Sequence, residues 1–107
     1  MGVAKAALET SVKYLAVDLG DKKIRVNGLS LGPMRTLSGA AIKDSRYIYN
    51  WTEKNSPLCK SIDFNDLSGS SNYLLGNQSS GVTGEIHYVD AGYNAVSYTH
   101  LTLPTKA

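Results

Sequence analysis

The run Ile24-Arg25-Val26-Asn27-Gly28-Leu29-Ser30-Leu31, closed by Gly32-Pro33, constrains this chain more than any other stretch. Ile24, Val26, Leu29 and Leu31 form a β-branched and aliphatic series with almost no charge, the pattern of a strand covered on both faces in a parallel sheet. Gly32-Pro33 ends the strand abruptly, because proline has no N–H for a ladder and fixes its own φ. Met34, Arg35 and Thr36 follow. In open α/β sheets the ligand crevice lies just beyond the carboxyl ends of the strands. The stretch therefore delivers backbone amides, a cation and a hydroxyl to such a crevice, and it equally fits a buried strand followed by an ordinary turn.

The chain has 107 residues and a net charge of +2, which allows one domain with a small core. Charges of both signs are interspersed, so neither nucleic acid nor a membrane is expected as a partner. No apolar run approaches the roughly 20 residues that cross a bilayer. The start, Met1-Gly2-Val3-Ala4-Lys5, does not read as a secretion signal. Cys59 is the single cysteine, which excludes an internal disulfide and fits a reducing compartment, here taken as the cytoplasm. His87 and His100 have no partner at metal-ligand spacing, so no metal site is expected.

Residues 3–20 read as a helix, with Ala4, Leu8, Val12, Leu15 and Leu19 on one stripe and Gly20 at its end. Nothing polar caps its start, as in a chain cut from something longer. Residues 37–60 have weak periodicity and read as a functional loop carrying one or two short helices, or as a plain surface excursion. Asp63 opens a second helix with Asp66 as its capping-box partner. Phe64, Leu67, Ser71, Leu74 and Leu75 form its inner face, and Gly76-Asn77 closes it. Glu85 to Asp90 reads as a second strand. The order helix–strand–loop/helices–helix–strand is α/β, the C-terminal part of a Rossmann-like doubly wound parallel sheet.

Several segments carry a resemblance: Gly2 to Glu9, Ile24 to Asn27, Gly32-Pro33-Met34-Arg35-Thr36-Leu37, Ile42-Lys43-Asp44 and Ser80 to Tyr93. Together they are similar to bacterial NADH-dependent enoyl-acyl-carrier-protein reductases, a divergent branch of the short-chain dehydrogenase/reductase superfamily. Residues 1–94 match the C-terminal portion of that domain. Residues 95–107 break the resemblance and look like the conceptual translation of a sequencing adaptor, a non-native tail.

The resemblance implies reduction of a trans-2-enoyl thioester on acyl carrier protein by NADH, in a homotetrameric cytoplasmic enzyme of fatty acid biosynthesis. Lys5 matches the family's active-site lysine, which holds the nicotinamide ribose hydroxyls and makes the site electropositive. Met34, Arg35, Thr36, Leu37 and Ser38 match the cofactor-wrapping segment, and Ile42 matches the apolar lid over the acyl chain. Ser45 stands where the family commonly has Phe, which makes that lid less apolar. The pattern's tyrosine would lie upstream of Met1, and the glycine-rich phosphate loop is absent, so the chain alone is expected to be inactive. The alternatives are another short-chain oxidoreductase acting on a ketone or hydroxyl, and an inactive truncated product.

Overall fold

The computed structural model of the chain describes residues 2–34 and 45–96. Helix α1 spans Gly2–Leu19, strand β1 Gly28–Leu31, helix α2 Ser45–Asn55, helix α3 Phe64–Leu75 and strand β2 Ile86–Val89. One-turn 3₁₀ segments, Gly20–Lys22 and Asn77–Ser79, follow α1 and α3. β1 and β2 pair in a two-stranded sheet. The Gly28 amide donates to the Glu85 carbonyl and the Gly32 amide to the Val89 carbonyl. Both partners advance by four residues in the same direction, which is a parallel register. The expected α/β order with parallel pairing is therefore the one observed.

The chain divides into two compact units. The first comprises Met1–Ser30 and Ser68–His87. Here α1 buries Val12 and Ala16. A Cβ placed on Gly28 would lie 3.5 Å from Val12 Cγ2, and one on Gly84 would lie 3.5 Å from Ala16 Cβ. The helix therefore rests on backbone at two glycines, through one small and one β-branched side chain. This corrects the expected stripe: of its five residues only Val12 is buried, and Leu8 is 66% exposed. The reason is that α1 carries apolar residues on several sides, so more than one stripe satisfies the period and the close approach to glycine selects the one carrying Ala16.

The strands are shorter than the sequence suggests, and β1 is not covered on both faces, since Leu31 and the preceding Ile24 are exposed. Residues 24–27 lie outside the ladder, and side chains carry part of the bonding between them and residues 82–85. The Val26 amide donates to Thr83 Oγ1, and the Val26 carbonyl accepts from the Gly84 amide. Asn27 donates through Nδ2 to the Val82 carbonyl and accepts from the Glu85 amide through Oδ1, at 3.0 Å each. The Asn27 amide thus substitutes for a further rung of the sheet.

The second unit comprises Leu31–Leu67 and Tyr88–Ala107. Its buried residues include Tyr49 and Thr52 on α2, Ser56, Ile62 and Ala91. One helix is described between residues 45 and 55, in keeping with the adaptable loop expected there. The capping box of α3 forms as expected: Asp63 Oδ1 accepts from the Asp66 amide at 2.9 Å, and Asp66 Oδ2 accepts from the Asp63 amide at 3.0 Å. Phe64 and Leu75 do not join an inner face; both are exposed, while Leu67, Ser71 and Leu74 are half-buried.

Candidate functional site

The carboxyl ends of β1 and β2 are built around Gly32 and Asp90, both in the second unit. A Cβ on Gly32 would lie 3.1 Å from the Asp90 Cα and 3.4 Å from Ile62 Cγ1, so only glycine lets the chain pass here unshifted. Beyond Pro33, Met34 is half-buried and forms a parallel bridge with Ile62. That bridge fixes the direction in which the backbone leaves the sheet. After β2, the Asp90 carboxylate accepts from the amides of Gly92 and Asn94, each at 3.0 Å. These bonds hold a turn in which Ala91 and Gly92 have φ of 57° and 91°. Pro57 packs on Gly92 so closely that a Cβ there would sit 2.7 Å from the ring, and the Leu58 amide donates to the Ala91 carbonyl. The loop after α2 is thereby fastened to the loop after β2.

Met34 is the described member of the expected cofactor segment. Arg35, Thr36, Leu37, Ser38 and Ile42 lie outside the described residues. Lys5 belongs to the first unit. It precedes Val12 by seven residues and Ala16 by eleven, which places it on the face of α1 that packs on the glycines, toward the N-terminal end. Lys5 is exposed, and its ammonium has no partner among the described residues. An unpaired ammonium supplies three hydrogen-bond donors and a positive charge.

The residue whose importance the sequence did not reveal is Arg25. Its Nη1 donates to Ser79 Oγ at 3.0 Å and to the Val82 carbonyl at 3.2 Å. Its Nη2 donates to the carbonyls of Leu74 at 3.0 Å and Gly76 at 3.1 Å. The guanidinium therefore sits on the carbonyl end of α3, where a cation is favoured by the helix dipole. Ser79, 1% exposed, completes the knot by donating to the Tyr73 carbonyl at 2.6 Å. A cation in an extended segment, followed two residues later by Asn, was the available signal; its partners lie some 50 residues away and carry no sequence mark.

At the other end of α3, Lys60 Nζ approaches Asp66 Oδ2 at 2.9 Å. The hydrogen bond from Lys60, together with that from the Asp63 amide, holds the Asp66 carboxyl below its usual 3.8. The same contact with Asp66 raises Lys60 above 10.5. Among the described residues no three His, Cys, Asp or Glu side chains converge as a metal site would require. No described helix is long and apolar enough to cross a membrane.

Each unit by itself offers one feature suited to a group of a nicotinamide dinucleotide. Lys5 offers free donors suited to vicinal hydroxyls. The Gly32–Met34 backbone is held by the Ile62 bridge at the carboxyl end of a parallel strand, where dinucleotide crevices form.

A family model described as Enoyl-(Acyl carrier protein) reductase matches residues 1–94. Enoyl-[acyl-carrier-protein] reductase [NADH] 2 of Rhizobium meliloti is 59% identical over 97 residues, covering 91% of this chain and 36% of the relative. The [NADPH] FabI of Staphylococcus aureus is 48% identical over 96 residues, covering 90% of this chain and 38% of the relative. The crystal structure of FabI from Candidatus Liberibacter asiaticus matches with a TM-score of 0.82 at 50% identity, over 98% of this chain and 39% of that one. The reductase of Anaplasma phagocytophilum in complex with NAD matches with a TM-score of 0.79 at 45% identity, over 100% of this chain and 36% of that one. The chain thus spans well under half the length of the proteins it matches.

Proposed function

This chain belongs to the enoyl-acyl-carrier-protein reductase family, and on that premise we propose that it is the C-terminal portion of a reductase of fatty acid biosynthesis. The reaction is reduction of the double bond of a trans-2-enoyl thioester on acyl carrier protein. The observation that carries the reading is the family match over residues 1–94, which includes Lys5 and the whole Gly32–Ser38 segment. NADH supplies the hydride when bound. Lys5 donates to the ribose hydroxyls and lends positive potential to the site, which favours negative charge developing on the thioester oxygen. Met34, Arg35, Thr36, Leu37 and Ser38 line the nicotinamide and pyrophosphate, and Ile42 closes on the acyl chain. The Met34–Ile62 bridge and the Asp90 turn position this wall rather than touch substrate.

We propose that residues 1–94 form the reductase domain and that 95–107 are a tail foreign to it; the family match ends at residue 94, while the match to a second Rhizobium meliloti reductase runs over 104 residues. A homotetramer in the cytoplasm is the assembly we propose for the whole enzyme. In support, α1 leaves Val3, Leu8, Tyr14, Leu15 and Val17 exposed, apolar surface suited to another chain. Because the chain spans 36–39% of its relatives, we propose that it does not turn over by itself.

The test is a chimera that joins the N-terminal portion of the Rhizobium meliloti relative to residues 1–94. NADH oxidation dependent on a crotonyl thioester is the expected result. A chimera that folds and reduces ketones instead would favour the short-chain oxidoreductase reading, and one that folds but accepts neither substrate would overturn both.

A further inference from the structure

Within the first unit, the end of α1 and the turn after the Asn77–Ser79 segment enclose a pocket of about 330 Å³, lined in part by Lys23, Ile24, Arg25, Ser80, Gly81 and Thr83. This is near the lower end of the size range of small-molecule sites. Two cations and two hydroxyls line it, and no carboxylate does. Among the described residues the carboxylates in contact with a basic side chain are Asp66, which meets Lys60, and Glu85, which faces His87, so neither Lys23 nor Arg25 meets an anion there.

We infer that this pocket binds a phosphate group, carried by a small phosphate monoester or free in solution. Arg25 is fixed by its four bonds to Ser79, Val82, Leu74 and Gly76. It therefore answers the carbonyl end of α3 that would otherwise repel an anion, and leaves the charge of Lys23 uncompensated. Lys23 is held at φ 62° by the bond from its amide to the Gly20 carbonyl, which places the ammonium stem at the rim on a fixed turn. Thr83 Oγ1 accepts from the Val26 amide, so its own proton remains free to donate. The Ser80 hydroxyl and the Gly81 amide have no acceptor among the described residues. An ammonium, two hydroxyls and a backbone amide suit an ion with several acceptor oxygens, and Ile24 offers an apolar wall to the remainder of an ester. None of the pocket's lining residues is Lys5 or belongs to the cofactor-matching segment, so its test does not depend on the reductase reading.

The experiment is an amide chemical-shift titration of the full chain with inorganic phosphate and, separately, with glycerol 3-phosphate, with ionic strength held constant by chloride. Saturable shifts at Gly20, Lys23, Ser80, Gly81 and Thr83 support the site, and the probe that binds more tightly identifies free phosphate or an ester as its occupant. Lys23→Asn removes the charge but tolerates the left-handed turn, and weakens binding about fivefold. Gly81→Leu fills the pocket without a clash at Cβ, where nothing lies within 4 Å, and abolishes binding. Lys22→Ala leaves binding unchanged. Shifts that fail to saturate with both probes, a loss on Lys22→Ala equal to that on Lys23→Asn, or undiminished binding by Gly81→Leu would each overturn the proposal.

Discussion

Replacing Arg25 with alanine removes, among the described residues, the side chain that ties the segment before β1 to the end of α3. Four acceptors lose their donor: Ser79 Oγ and the carbonyls of Leu74, Gly76 and Val82. The Ser79 hydroxyl can compensate only one of them. It lies 3.1 Å from the Leu74 carbonyl and 3.3 Å from that of Gly76, but already faces the Tyr73 carbonyl at 2.6 Å. Two or three half-buried acceptors are left, at about 1 kcal/mol each, and a helix C-terminus loses its cation, worth roughly 0.5 kcal/mol. The sum is a destabilisation of about 3 kcal/mol, a large loss for a chain of this size. Urea denaturation followed by circular dichroism measures it, and amide exchange locates it. Protection should fall first at Val26, Gly84 and Glu85, whose amides depend on the loop that Arg25 holds. Arg25→Lys should recover less than half, because an ammonium cannot span four acceptors placed for a planar fork. A midpoint shift worth less than about 0.5 kcal/mol for Arg25→Ala, with unchanged exchange at those amides, would refute the reasoning.

Gly92→Ala should cost about 2 kcal/mol, since it combines a φ of 91° with a Cβ 2.7 Å from Pro57; a urea midpoint checks it, and Pro57→Ala in the same chain should relieve part of the loss. Gly28→Ala places a Cβ 2.8 Å from Ile86 Cδ1, a flexible terminus, so its penalty should be near 1 kcal/mol and should shrink in an Ile86→Val background. Asp66 is held below its usual 3.8, so its contribution to stability is complete above that value and is lost as the pH falls through the lower folded one. Lys60, raised above 10.5, contributes below that value and loses its effect as the pH rises through the folded one. Asp66→Asn should therefore flatten the acid limb of an α3-specific exchange or helicity profile, and an unchanged acid limb would contradict the assignment.

Periodicity and punctuation made much of the fold legible. Eighteen residues of α1, the Asp63/Asp66 box and the Gly32-Pro33 stop each depend on local chemistry, and each formed as that chemistry requires. The face of α1 was not legible in the same way. Ala4, Leu8 and Leu15 satisfy the helical period as well as Ala16 does, and only the glycines at 28 and 84, distant in sequence, favour the smaller side chain. β1 was read too long for a related reason. Ile24 and Val26 have strand character, but Thr83 takes the Val26 amide and the Asn27 side chain takes the Val82 carbonyl and the Glu85 amide, and β-propensity does not encode such a substitution. At the candidate site, Lys5 and Met34 could be named by resemblance. The devices that hold the neighbouring backbone could not, because Asp90, Gly92 and Pro57 act through contacts between loops.

We propose above that this chain supplies one wall of a nicotinamide site, with Lys5 as its charged donor. The most direct measurement is the dissociation constant for NADH of the chimera described above, set beside its Lys5→Met variant, by quenching of protein fluorescence. We predict that Lys5→Met weakens NADH binding about tenfold while leaving the urea midpoint unchanged, because the side chain is exposed and unpartnered in the described structure. Equal affinities for the two proteins would contradict the claim.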